Sequence, residues 1–130
     1  MIAIDTNVVV RYLTGDHPEQ SPRARDLIDG NEVFVPVTVI LETAWVLRSA
    51  YDFGITDLVR ALRAFGGLPS VTIEDAEIVA EALDRTEQGL DLADALHLGR
   101  ARHCDFLASF DRKFAQASRD LGIGDVRTPG

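Results

Sequence analysis

Four acidic residues stand where a fully hydrated carboxylate is not the natural side chain: Asp5, Glu42, Asp94 and Asp111. Asp5 closes the apolar run Ile2-Ala3-Ile4, which reads as a short buried strand. It therefore lies at a strand's carboxyl end, the edge where open α/β sheets bind ligands. Taken alone, Asp5 reads more readily as the cap of the helix that follows. Glu42 sits in Thr38-Val39-Ile40-Leu41-Glu42-Thr43-Ala44-Trp45-Val46-Leu47, a helix apolar nearly all round. No basic residue at 38, 39, 45 or 46 faces it at helical spacing, so the carboxylate must be paired, protonated or bound to a cation, and a ligand role is preferred to a Glu at the helix's edge favoured by the N-terminal dipole. In Asp91-Leu92-Ala93-Asp94, Asp91 reads as an N-cap. Asp94 precedes Ala95-Leu96-His97-Leu98 on a largely apolar helix and reads as functional. Asp111 ends another apolar run ahead of Arg112-Lys113-Phe114 and fits either a cap or a fourth member of the set.

Gathered at one sheet edge, such acids would repel strongly and demand either raised pKa values or divalent cations. All-oxygen ligands suit Mg²⁺ or Mn²⁺ rather than zinc. Ions of that kind activate water and steady the leaving oxygen of a phosphodiester.

The elements that would position these acids alternate along the chain. Strands are expected at Ile2–Ile4, Val33–Val35, Val71–Ile73 and Phe106–Ala108, with a last one at Asp125–Arg127. Helices are expected after Asp5, from a Ser21 cap with Pro22 in the first turn to Gly30, and from a Thr38 cap to about Tyr51. Others run from Thr56 or Asp57 to Gly66, from Glu74 to Gln88 with Ala76, Val79, Ala80 and Leu83 on one face, from Asp91 to about His103, and after Asp111. The pattern predicts an α/β fold, a short parallel sheet flanked by helices in three layers. No linker or repeat interrupts it, so residues 1–130 read as one domain.

Composition narrows the function. The apolar share is 46%, enough for a core, and 13 basic against 21 acidic residues leave a net charge of −8. A basic nucleic-acid clamp is excluded, whereas metal-assisted handling of nucleic acid is not. The lone Cys104 rules out an internal disulfide and a cysteine zinc site, and reads as a small buried residue. The longest uncharged run, Ala64–Ile73, has ten residues, too few to span a bilayer. The start carries no basic leader. A cytoplasmic protein without membrane attachment is expected.

The motifs Ile4-Asp5-Thr6-Asn7, Leu41-Glu42-Thr43, Asp91-Leu92-Ala93-Asp94-Ala95-Leu96 and Ser109-Phe110-Asp111-Arg112-Lys113-Phe114 resemble, in order and spacing, those of PIN-domain ribonucleases, nearest to the VapC branch of bacterial toxins. The resemblance implies a three-layer PIN-like fold and a toxin endoribonuclease that hydrolyses RNA with a Mg²⁺-activated water. It implies Asp5, Glu42, Asp94 and Asp111 as catalytic metal ligands, with Asn7 and Ser109 or Thr6 as polar support; Asp91, read as a cap, is kept beside them as a supporting candidate. It further implies a homodimer and a cognate antitoxin, here expected to present a basic segment to the acids.

Two other classes compete. An aspartyl-phosphate phosphatase wants a second Asp two residues after the first, where this chain has Asn7; a receiver wants a mid-chain Asp that Val33-Phe34-Val35-Pro36 does not supply. A non-catalytic module gripping a basic partner is the third reading. His17, His97 and His103 read as structural, Arg11, Arg112 and Lys113 as solvated unless RNA phosphate meets them, and Trp45, Leu47 and Tyr51 as core or dimer seam.

Overall fold

Val33 and Val35 have no solvent exposure, and the strand that carries them explains the first half of the molecule. In the computed structural model, which describes all 130 residues, β2 (Val33–Val35) lies between β1 (Ile2–Ala3) and β3 (Val71–Ile73). Both pairings are parallel, Ile2 opposite Val33 and Val35 opposite Ile73. Parallel neighbours require crossovers. These are α1 (Thr6–Thr14) with α2 (Gln20–Gly30), and α3 (Val37–Ser49) with α4 (Ile55–Gly66). A central parallel strand is apolar on both faces because helices cover both.

The chain divides into two compact units, residues 1–76 and 77–130. In the first, α1 buries Val9 and Val10, α2 buries Ala24 and Ile28, and α4 buries Leu58, Val59, Leu62 and Phe65. The second contains α5 (Ala76–Glu87) from its second residue on, α6 (Leu92–Arg100) and α7 (Arg112–Leu121), with β4 (Leu107–Ala108) parallel to β5 (Val126–Arg127). Seven helices and short parallel strands make this an α/β fold. The strands fall into a three-stranded and a two-stranded sheet, where the sequence suggested one. No helix is long and apolar enough to cross a membrane.

Several local expectations are corrected. Ser21 does not cap α2. Nδ1 of His17 accepts the N–H groups of Gln20 at 2.9 Å and Glu19 at 3.3 Å, while buried Ser21 receives the N–H of His17 at 3.2 Å. Thr38 does not cap α3 either. The helix begins at Val37, whose N–H donates to Oε1 of Glu74 at 2.9 Å. Along α5 the buried face is Val79, Ala82, Leu83 and Thr86, with Ala76 and Ala80 outside; small residues follow the helix period without deciding which side is in. Ile2 is exposed because β1 is an edge strand in its sheet, and Ile4 beyond it is buried. Cys104 is exposed in the turn after α6, four residues past a helix that ends at Arg100 rather than His103.

Candidate metal-binding acids

Asp5, Thr6, Asn7 and Glu42 belong to the first unit. Asp5 is the N-cap of α1, its Oδ1 accepting the Val8 N–H at 3.3 Å. This is the capping role its position suggested, and it leaves Oδ2 out of that bond. Thr6 follows as the first residue of α1 and is buried. Its hydroxyl donates to Oε1 of Glu42. Glu42 lies on α3 but on an exposed side of it, so the helix is not apolar all round at this point. Val37, Ile40, Thr43, Ala44 and Leu47 carry the buried face. The donor that a carboxylate needs there comes from a hydroxyl 36 residues away rather than from a basic side chain.

Asp91, Asp94, Ser109 and Asp111 belong to the second unit. Asp91 is the N-cap of α6, its Oδ2 accepting the Asp94 N–H at 3.3 Å. Asp111 is the N-cap of α7, its Oδ1 accepting the Phe114 N–H at 3.1 Å. The Asp111 N–H in turn donates to Ser109 Oγ at 3.0 Å, which closes the turn in front of the cap. Asp94, in the first turn of α6, is the one acid of the set that caps nothing and is only partly exposed. Its carboxyl is held above the usual aspartate range, first by loss of solvent, then by the charges of Asp91 and Asp111. His97, one turn on, opposes the shift. Asp91 and Asp111 are thus both within electrostatic reach of Asp94.

Within either unit alone, no three His, Cys, Asp or Glu side chains are arranged to hold a metal ion. The donors themselves nonetheless suit a hard cation. They are carboxylate oxygens with no sulfur among them, and one of them, Asp94, sits where added positive charge would be welcome. Phe110 lies within these motifs but is not singled out by the sequence. It is 78% exposed between Ser109 and Asp111, and an aromatic side chain inside a polar capping turn was the available signal.

An α/β fold with short parallel strands, acids at strand ends and capped helix starts defines the class. The PIN domain family profile matches residues 2–120, and the chain belongs to that family. No curated protein matches the chain. PIN domains are in general nucleases, hydrolases that typically use divalent metals.

Proposed function

We propose that the protein is a metal-dependent endoribonuclease and the toxin of a toxin–antitoxin pair, built as one PIN-like domain over residues 1–130. Asp5, Glu42, Asp94 and Asp111 hold the metal, Mg²⁺ or alternatively Mn²⁺. A divalent cation supplies a Lewis acid for the phosphodiester. The chain's own residues prepare its ligands. The Thr6 hydroxyl engages one oxygen of Glu42, the Asp91 cap fixes the first turn of α6 beneath Asp94, and Ser109 fixes the turn that presents Asp111. Asn7, exposed beside Thr6 at the start of α1, is a polar contact for substrate. RNA is the substrate, a cognate antitoxin with a basic segment the inhibitor, and the cytoplasm the compartment. A second copy docks through the face around Trp45, which is 69% exposed, and Tyr51, or alternatively through the helix after Thr56.

The observation that carries this reading is Asp94, partly desolvated and flanked by two more carboxylates in a chain of a nuclease family. Its test is the incubation of purified protein with total RNA in EDTA and in millimolar Mg²⁺, with the wild type beside Asp94→Asn. We expect cleavage by the wild type in Mg²⁺ alone, and a loss of at least about a hundredfold in the variant, above what second-layer partners of metal ligands contribute. Cleavage that survives both EDTA and Asp94→Asn would refute it.

A further inference from the structure

Between α1 and α2 of the first unit lies an open groove of about 500 Å³. In a chain of net charge −8, it is lined by two arginines, Arg11 and Arg23, and by no acid. Asn7 and Gln20 add amide groups, and Val8 and Leu27 an apolar floor.

The two cations differ in how they are held. Arg11 is fixed from behind: its Nε donates to Gln20 Oε1 at 2.9 Å and its Nη1 to the Tyr51 hydroxyl at 3.4 Å, with Asp16 Oδ1 3.6 Å from Nη1. Its Nη2 takes part in none of these contacts. Arg23 is exposed on α2 and is engaged in no hydrogen bond or ion pair with the chain. A held guanidinium beside an unengaged one, over apolar carbon and between two amides, has the composition of a strand-binding surface. Guanidinium groups meet phosphate oxygens in pairs of hydrogen bonds. Unstacked bases need apolar surface and groups that read their edges. An acidic peptide would use the arginines but has no call on Asn7, Val8 and Leu27.

The groove is also in register with the proposed chemistry. It opens at Asn7, two residues beyond Asp5 in the sequence, and Arg11 lies one turn further along α1, about 6 Å of helix rise.

We propose that this groove binds the sugar–phosphate backbone of a single RNA strand, Arg23 and Arg11 holding phosphates adjacent to the one that is cleaved. The proposal rests on the nuclease reading above and adds the means by which an acidic protein keeps a polyanion.

The test uses the whole chain and a fluorescein-labelled single-stranded 12-nucleotide RNA in EDTA, so that nothing is cut. Binding is followed by anisotropy across a range of salt concentrations. Each phosphate contact to a single strand contributes about −0.7 to the slope of log K against log salt. Arg23→Ala is therefore expected to make the slope shallower by about 0.7 and to weaken binding severalfold, with Arg23→Lys keeping most of the slope. Circular dichroism melts matching the wild type establish that the variants are folded. A wild type that cuts RNA but binds it with the same slope and affinity after Arg23→Ala would overturn the groove and leave the nuclease standing. A wild type that binds no RNA, or that binds a poly-glutamate peptide through Arg23 instead, would overturn the groove as well. Failure of cleavage in Mg²⁺ with Arg23-dependent binding intact would strike the nuclease reading alone.

Discussion

The two units meet the same electrostatic problem in opposite ways. In the first, the acid on α3 is met by a donor: the Thr6 hydroxyl donates a hydrogen bond to Glu42, and Glu42 keeps its contact with water. In the second, Asp94 is partly removed from water and faces Asp91 and Asp111, with only His97 offsetting them. An acid with a donor and solvent is at rest without further charge. An acid among acids is not, and the ionic demand of this molecule is concentrated on the first turn of α6. A neutral hydrogen bond orients a ligand, whereas lost solvent together with neighbouring like charge favours a bound cation.

The contrast predicts where metal acts most. Mg²⁺ binding only the folded state stabilises it by roughly 2.7 kcal/mol at a hundredfold excess over Kd. Thermal melts with EDTA and with millimolar Mg²⁺ should show that increment nearly abolished in Asp94→Asn and merely reduced in Thr6→Val. Equal increments in the two variants would erase the distinction between the units.

A smaller effect is expected when the donor in the first unit is removed. Thr6 is buried, so Thr6→Val keeps its shape while depriving Glu42 of its hydroxyl. Urea unfolding without metal should show a loss of about 1 kcal/mol, the usual net worth of such a bond. An unchanged midpoint would mean that water serves Glu42 equally well.

Each unit also buries one hydroxyl that finds no partner, Thr43 on α3 and Ser118 on α7. Replacing such a group by an apolar one removes a desolvation cost without losing a bond. Thr43→Val and Ser118→Ala should therefore leave stability unchanged or raise it by up to about 1 kcal/mol in the same urea experiment. A loss beyond the methyl or hydroxyl volume would reveal a partner in solution.

The smallest expected effect is a pH dependence confined to the second unit. Because Asp94 is raised when folded, the native state binds its proton more tightly than the unfolded chain does. Metal-free stability should then be greatest below the ordinary aspartate range and decline as pH rises from there through the raised value. Solvent screening of this partly exposed carboxyl keeps the change to about a few tenths of a kcal/mol. Difference melts between wild type and Asp94→Asn from pH 3 to 7 isolate it. A difference that grows in favour of the wild type with rising pH would reverse the sign and the cause.

What the sequence disclosed and withheld follows from the range of the interactions involved. The capping by Asp5, Asp91 and Asp111 spans three residues in each case, and such short-range chemistry is written locally. The α/β alternation was equally plain, because Val33-Phe34-Val35 and Val71-Thr72-Ile73 are short apolar runs set between helical patterns. Hidden from view was whatever depended on a distant partner or an unusual donor. The start of α3 is satisfied by Glu74, 37 residues on, so Thr38 looked like the cap in its absence. His17, not the more familiar Ser21, receives the first amides of α2. Glu42 reads from the sequence as a carboxylate embedded in an apolar helix, and no local pattern could show that the side chain stays exposed or that Thr6, 36 residues away, donates to it. Cys104 followed the habit of its residue type into the interior on paper and not in the fold.

The bond from Val37 to Glu74 has a consequence for the order of events at the ribosome. Polypeptides emerge amino end first, at about 5–20 residues per second, so the 37 residues between the two partners amount to roughly two to seven seconds of synthesis. During that interval the helix bearing Glu42 already has its sequence but lacks the carboxylate that completes its first turn. Glu74 follows directly on β3, and its own N–H donates to the Val35 carbonyl at 2.9 Å. The start of α3 is therefore finished by the same segment that completes the three-stranded sheet, and a nascent chain that has not yet reached residue 74 carries an unfinished Glu42 helix.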